Sequence, residues 1–378
     1  MGAMEELTES ACSLFNPYIK SWKEEGKKVI GYATVYTPEE IFYAAGMLPY
    51  RIGGREATNT TTADMYYGPV TCSYAKCVLE NAADGRFDFL DGAVIAYECD
   101  HMRRLFDTWR GAAKDGNARL PPFFEYYGVP HSRGEHASKI LMDETQRLIK
   151  KFEEHFGVKV TEDGLKSAIN VYNKTRNLLK RLYELREKDE ISITGAEALS
   201  IVIASTTMPK DEFNSLLERI LDERKGASSS DKPRLMIVGS VNDDVGFVKL
   251  IEDLGAVVVA DSLCFGSRCF WDLAEENGDP LRSIINRYFD HIPCPRMYGE
   301  YALRYNFIKE IAKRAKIDGV ILQHIRCCDM HGAENTLYER DLEAGGIPTL
   351  KLERHYGPLA DTGRITTRVQ AFLERVEG

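Results

Sequence analysis

The sequence has no run approaching the roughly 18 apolar residues that would cross a bilayer. Its opening, MGAMEELTES, carries no apolar signal-peptide core. Neither a membrane span nor secretion is expected, and a cytoplasmic location follows. Positive charge is in deficit: 49 Lys and Arg face 58 Asp and Glu, a formal net charge of −9. That balance argues against nucleic-acid and anionic-membrane partners. No G-x-x-x-x-G-K-[ST] occurs, so ATP is not expected to bind this chain through a P-loop. No G-x-G-x-x-G follows either leading strand, and G-x-S-x-G and H-E-x-x-H are missing as well. Any redox chemistry would therefore need an external electron donor.

What is present suits a globular chain. The 378 residues predict two or three domains of roughly 150 residues, and 44% apolar content excludes disorder. Residues 27–54 read as strand, helix and strand, with Thr37 as N-cap, Pro38 at the first helical position and Glu40 completing a capping box. A helix near 74–84, a strand at 92–95, a helix from about Asp100 and a strand at 123–127 follow. From about Arg133 to Gly226 the pattern is almost purely helical, and Gly226–Pro233 reads as a polar joint. Strands then return at 234–239, 256–260, 318–322 and 349–352, before a closing helix from about Thr366. Strands alternating with helices predict an α/β fold with parallel sheets. The expected organisation is an N-terminal α/β domain (1–132), a helical segment (133–230) and a C-terminal α/β domain (231–378).

The nine cysteines are an odd count and a poor disulfide framework. Buried thiols packing as small hydrophobes would account for Cys12 and Cys294. The remainder form a signature that occurs twice: Cys72-x4-Cys77 with Asp91-Gly…Cys99-Asp100-His101, and Cys264-x4-Cys269 with Asp318-Gly…Cys327-Cys328-Asp329-Met-His331. Ligand sites of open α/β sheets lie beyond the carboxyl ends of strands, so two such ends could face each other across a cleft. Thiolate sets select zinc, copper(I) or iron–sulfur clusters. The cysteines stand at the ends of α/β strands rather than on zinc-ribbon knuckles, and one zinc would leave most thiols unused, so an iron–sulfur centre between the halves is favoured.

Several stretches resemble the 2-hydroxyacyl-CoA dehydratase and benzoyl-CoA reductase superfamily. They are Gly31-Tyr-Ala-Thr-Val-Tyr-Thr-Pro-Glu-Glu-Ile-Phe-Tyr-Ala-Ala-Gly-Met-Leu-Pro-Tyr-Arg-Ile, Cys72, Cys99-Asp100, Asp261-Ser-Leu-Cys-Phe-Gly-Ser-Arg, Pro293-Cys-Pro, Cys328-Asp329 and Gly346-Ile-Pro. The resemblance implies two Rossmann/flavodoxin-like domains with a cluster between them, and a 4Fe–4S cluster on Cys72, Cys99 and Cys328. The added thiols Cys77, Cys269 and Cys327 look like the double-cubane branch, whose 8Fe–9S cluster takes six cysteines. Cys264 is read as structural, although it could replace Cys269. The branch implies an ATP-hydrolysing iron–sulfur activase as partner, a homodimer, and reduction of small molecules of the acetylene, azide or hydrazine type. His101, His324 and His331 flank the Cys-Asp motifs as proton-donor candidates, while second-shell or surface roles suit them equally. Asp100 and Asp329 are expected as helix N-caps. Arg104, Arg268 and Arg326 either offset cluster charge or form ordinary salt bridges. Two other readings remain open: a subunit of a 2-hydroxyacyl-CoA dehydratase or benzoyl-CoA reductase with one 4Fe–4S cluster, and a non-catalytic iron–sulfur electron carrier.

Overall fold

In the computed structural model, residues 2–224, 231–357 and 360–378 are described. Most of the expected polar joint (226–230) lies outside them. The first sheet contains β1 (Val29–Ala33), β2 (Leu48–Arg51), β3 (Gly92–Ala96) and β4 (Phe123–Tyr127), in the order β2-β1-β3-β4. The second contains β5 (Arg234–Gly239), β6 (Val257–Ser262), β7 (Gly319–Ile325) and β8 (Thr349–Arg354), in the order β6-β5-β7-β8. Every pairing is parallel. The central strands are buried on both faces, which is why they read as short continuous apolar runs. Each strand order places the chain reversal beside β1 or β5, as in doubly wound flavodoxin-like domains.

The repeated Asp-Gly has a structural task. Asp91 Oδ2 accepts the Val29 amide at 2.9 Å while the Asp91 amide donates to the Val29 carbonyl. In the second sheet, Asp318 Oδ2 accepts the Arg234 amide at 2.7 Å and its amide donates to the Arg234 carbonyl. Each aspartate thus fixes the start of one central strand against the next. β7 runs to Ile325, past the expected end at 322, because β8 pairs with it through His324–Glu353 and Ile325–Arg354.

Four long helices, Glu135–Phe156, Glu162–Arg186, Gly195–Ser205 and Lys210–Glu223, separate the sheets in sequence. The helix Gly195–Ser205 is opened by the Thr194–Glu197 capping box. The N-terminal helix Ala3–Cys12 joins this group: Ala3 and Leu7 pack in one core with Val202 and Leu217. Another core is continuous between the sheets, holding Ile30 and Tyr32 of β1 together with Leu235 and Ile237 of β5. A buried strut reinforces that junction. Glu40 receives a hydrogen bond from Arg176 and another from Tyr288 Oη at 2.8 Å.

Three local expectations are corrected. Thr37 does not cap the helix Glu39–Ala44; its hydroxyl donates back to the Ala33 carbonyl, and Pro38 holds the N-cap position. Asp100 and Asp329 lie in the first turns of their helices, whose N-caps are Cys99 and Cys328.

Candidate functional site

The carboxyl ends of both sheets meet around one cavity of about 670 Å³, its mouth included. Thr34 after β1, Arg51 ending β2, Cys99 after β3, Ser240 after β5, Cys264 after β6 and Cys328 after β7 all line it. This is the location that the strand topology favours for a ligand. Five thiols share the wall: Cys72, Cys99, Cys264, Cys294 and Cys328. Among the described residues, no three His, Cys, Asp or Glu side chains surround one point closely enough for a single metal ion.

Cys72, Cys99 and Cys328 have a common local origin. Each is the N-cap residue of a helix, of Ser73–Ala83, Asp100–Lys114 and Asp329–Ala344 respectively. Cys99 Sγ accepts the Met102 amide at 3.5 Å, standing in for the usual capping oxygen. A thiolate there meets unpaired amides and the positive end of the helix dipole. Without a metal, burial dominates instead. It pushes the Cys72 thiol up to about 11 and raises Cys99 and Cys328 as well.

The other three expected ligands do not reach the cavity. Cys77 is five residues beyond Cys72, about 500° along a helix of 3.6 residues per turn, and so points to a different face. It is fully buried in the core of the first sheet with Tyr74 and Tyr356. Cys269 lies in the short helix Ser267–Phe270, packed beside both the inter-sheet core and the helical core, and its carbonyl accepts from Arg287. Cys327 takes a left-handed backbone, φ 68°, that turns it from Cys328 into a surface cleft with Arg326, Lys76 and His355.

Cys264 and Cys294, read from the sequence as structural, face the cavity instead. Cys294 comes from an irregular stretch, where its amide donates to Tyr36 Oη at 2.9 Å. Arg304 Nη1 donates to the Cys294 carbonyl at 3.3 Å. Cys264 lies just beyond β6, and its carbonyl accepts Arg51 Nη1 at 2.6 Å.

Of the three histidines, His331 alone lines the cavity. Its Nε2 is 3.7 Å from Cys294 Sγ, and burial with the Arg268 and Arg304 charges lowers its pKa well below the ordinary value. The ring is neutral at pH 7. His324 packs beside Glu353 and Asn335, and His101 is half-buried with its charge opposed by burial and Arg104. Sequence reasoning missed Glu98, directly before Cys99, although its place beyond β3 marks it. Burial raises its carboxyl, against the pull of Arg51, Arg296 and Arg268. It also missed Thr34, a β-branched residue held at φ 83° where the chain leaves β1.

The donor set suits a thiolate-ligated iron–sulfur cluster: soft sulfurs from both sheets, three of them at helix N-termini, with buried guanidiniums beside them.

The model of 2-hydroxyglutaryl-CoA dehydratase, D-component, matches residues 34–376. The beta subunit of (R)-phenyllactyl-CoA dehydratase from Clostridium sporogenes is 26% identical over 359 residues, covering 94% of each chain. The beta subunit of (R)-2-hydroxyglutaryl-CoA dehydratase from Acidaminococcus fermentans is 27% identical over 363 residues, again covering 94% of each. One of the subunits of benzoyl-CoA reductase from Thauera aromatica is 29% identical over 274 residues, 70% of this chain and 69% of that one.

Proposed function

Because the chain belongs to the 2-hydroxyglutaryl-CoA dehydratase D-component family, we propose that it is the cluster-bearing component of an activase-dependent dehydratase or reductase. One observation carries this reading: Cys72, Cys99 and Cys328, each at a helix N-terminus, line a single cavity between two parallel sheets. These three are the proposed ligands of a 4Fe–4S cluster. When bound, it supplies single low-potential electrons, received from a partner iron–sulfur activase that hydrolyses ATP.

The chain's own residues supply the setting. The cavity wall is mainly apolar, with Met102, Val241 and Ile325 keeping water away. Glu98 and the neutral His331 are the groups placed to hold protons on it, and we assign that role to them rather than to His101 or His324. Arg51 and Arg268 put fixed positive charge there.

A second reading has its own observation. Cys264 and Cys294 bring the thiols on the same cavity to five, one fewer than the six of a double-cubane cluster. On that reading the protein reduces small molecules such as acetylene, azide or hydrazine, and acts as a homodimer. Iron and sulfide analysis of anaerobically reconstituted protein separates the two: about four irons per chain support the first, about eight the second. Replacing Cys72, Cys99 or Cys328 by Ser is expected to abolish loading, whereas Cys77→Ser and Cys269→Ser retain it. Full loading of Cys99→Ser and Cys328→Ser would overturn the assignment. Turnover with and without the activase then distinguishes a catalyst from an electron carrier.

A further inference from the structure

Two arginines on the cavity are buried without an ion pair among the described residues. Arg51 and Arg268 are each 3% exposed. Arg51 Nη1 donates to the Cys264 carbonyl, its Nε has no partner, and its guanidinium lies 3.6 Å over the Phe265 ring. Arg268 Nη2 donates to the Gly239 carbonyl at 2.8 Å, and its Nε also has no partner. Of the other deeply buried arginines, Arg176 and Arg304 are paired with Glu40 and Glu334, whereas Arg186, Arg287 and Arg296 bond backbone carbonyls away from any ion pair among the described residues. Among the described residues no carboxylate comes within ion-pair distance of Arg51 or Arg268. A buried charge without a close partner is destabilising, and this chain carries two such cations on one wall of one cavity, where their charge reaches the Glu98 carboxyl without forming an ion pair. Cys264 lies in the field of both, and Cys294 in that of Arg268.

We infer that Arg51 and Arg268 are the countercharge of the cavity's anionic occupant, and that they set how readily it accepts an electron. The inference rests on the cluster reading above. Reduction by the activase adds one negative charge to the occupant. A fixed cation in a water-poor site favours the more negative state and raises the reduction potential. The two arginines are therefore positioning residues for charge, separate from the thiols that bind. Their place in the fold explains why a guanidinium is used: Arg51 ends β2 and Arg268 stands in the short helix after β6, where each bonds a backbone carbonyl and still lines the cavity.

The test uses the full chain reconstituted with iron and sulfide, as wild type, Arg268→Gln, Arg268→Lys and Arg51→Gln. Iron content is measured first, because an unloaded wild type defeats the cluster reading and leaves the charge argument distinguishable from it. In loaded proteins, an EPR-monitored reductive titration is expected to show at least a tenfold loss in the one-electron reduction equilibrium for Arg268→Gln, about 59 mV lower. Arg268→Lys is expected to keep most of the wild-type value. Arg51→Gln provides the same reading if Arg268→Gln does not load. The metal-free Arg268→Gln protein should melt no lower than metal-free wild type, since an unpaired buried charge has gone. An unchanged potential in the loaded glutamine variants, with a lower melting temperature of the metal-free protein, would show a merely structural role and overturn the inference.

Discussion

Glu334→Gln is the perturbation that joins stability most directly to the site. Arg304 reaches Glu334 through two bonds, Nε to Oε2 at 2.8 Å and Nη2 to Oε1 at 2.5 Å, and Tyr338 Oη donates to Oε2 at 2.7 Å. The side chains are only 5% and 9% exposed. The same guanidinium donates through Nη1 to the carbonyls of Cys294 and Met297. Glu334 belongs to the helix that starts at Cys328, so one ion pair ties Cys294 to Cys328. Removing one partner of a buried pair costs about 3–5 kcal/mol. Glutamine keeps one acceptor for Arg304 or Tyr338, which places the cost near the lower end, about 3 kcal/mol. With a urea slope of about 3 kcal/mol/M for a chain of this size, the midpoint should fall by about 1 M. Arg304→Met in the Glu334→Gln background should recover much of that loss, because the orphaned charge is removed. The thiol of Cys294 in metal-free protein should also react faster with a thiol reagent. A midpoint drop below about 0.2 M in urea would refute the assignment of a buried, energetically coupled pair.

Asp91→Asn tests the strand clamp through pH. Burial pushes the Asp91 carboxyl up, but Lys23, the Val29 amide and Lys28 together hold it below the usual carboxylate range. Its stabilisation is therefore present above the unfolded pKa, about 3.9, and lost as pH falls through the folded value. The melting-temperature gap between wild type and Asp91→Asn should close on acidification below that range, and a gap independent of pH would contradict it. Asp243 behaves in the opposite sense: burial raises its carboxyl, against the pull of the Arg55 charge and the Tyr356 hydroxyl. The folded protein then holds a proton that the unfolded chain releases, so stability falls as pH rises through the carboxylate range. Asp243→Asn should raise the melting temperature at pH 7 and leave it unchanged near pH 3; no rise at pH 7 counts against this. Gly239 has φ 145°, and a Cβ there would stand 1.7 Å from the Gln323 carbonyl oxygen. Gly239→Ala should cost more than about 3 kcal/mol in a denaturant titration, and an unshifted midpoint would show that β5 and β7 can separate at little cost.

Much of the fold was legible in the residues. Short apolar runs bounded by turn residues marked all eight strands, and the extensions of β6 to Ser262, β7 to Ile325 and β8 to Arg354 come with pairing to a neighbouring strand rather than from any local preference. The Asp-Gly repeats marked where the strands start, although their role as backbone clamps needed the partner strand to be seen. Asp100 and Asp329 looked like caps because carboxylates usually take that position; a thiol took it instead, one residue earlier, in both places.

The sequence alone determined that strands and helices alternate, that cysteines follow the strands of both halves, and that Cys99 and Cys328 stand where strands give way to helices. Those are local properties, set by periodicity and by the residues at an element's end. Which further thiols share their cavity is not local. Cys77 is close to Cys72 in sequence yet buried on another face, while Cys294, from the opposite half, faces the same space. Spacing along a chain fixes direction only inside one rigid element. Across two sheets, direction is decided by how their cores pack together, and that packing brings Cys264, Cys294, Glu98 and two unpaired arginines to one wall.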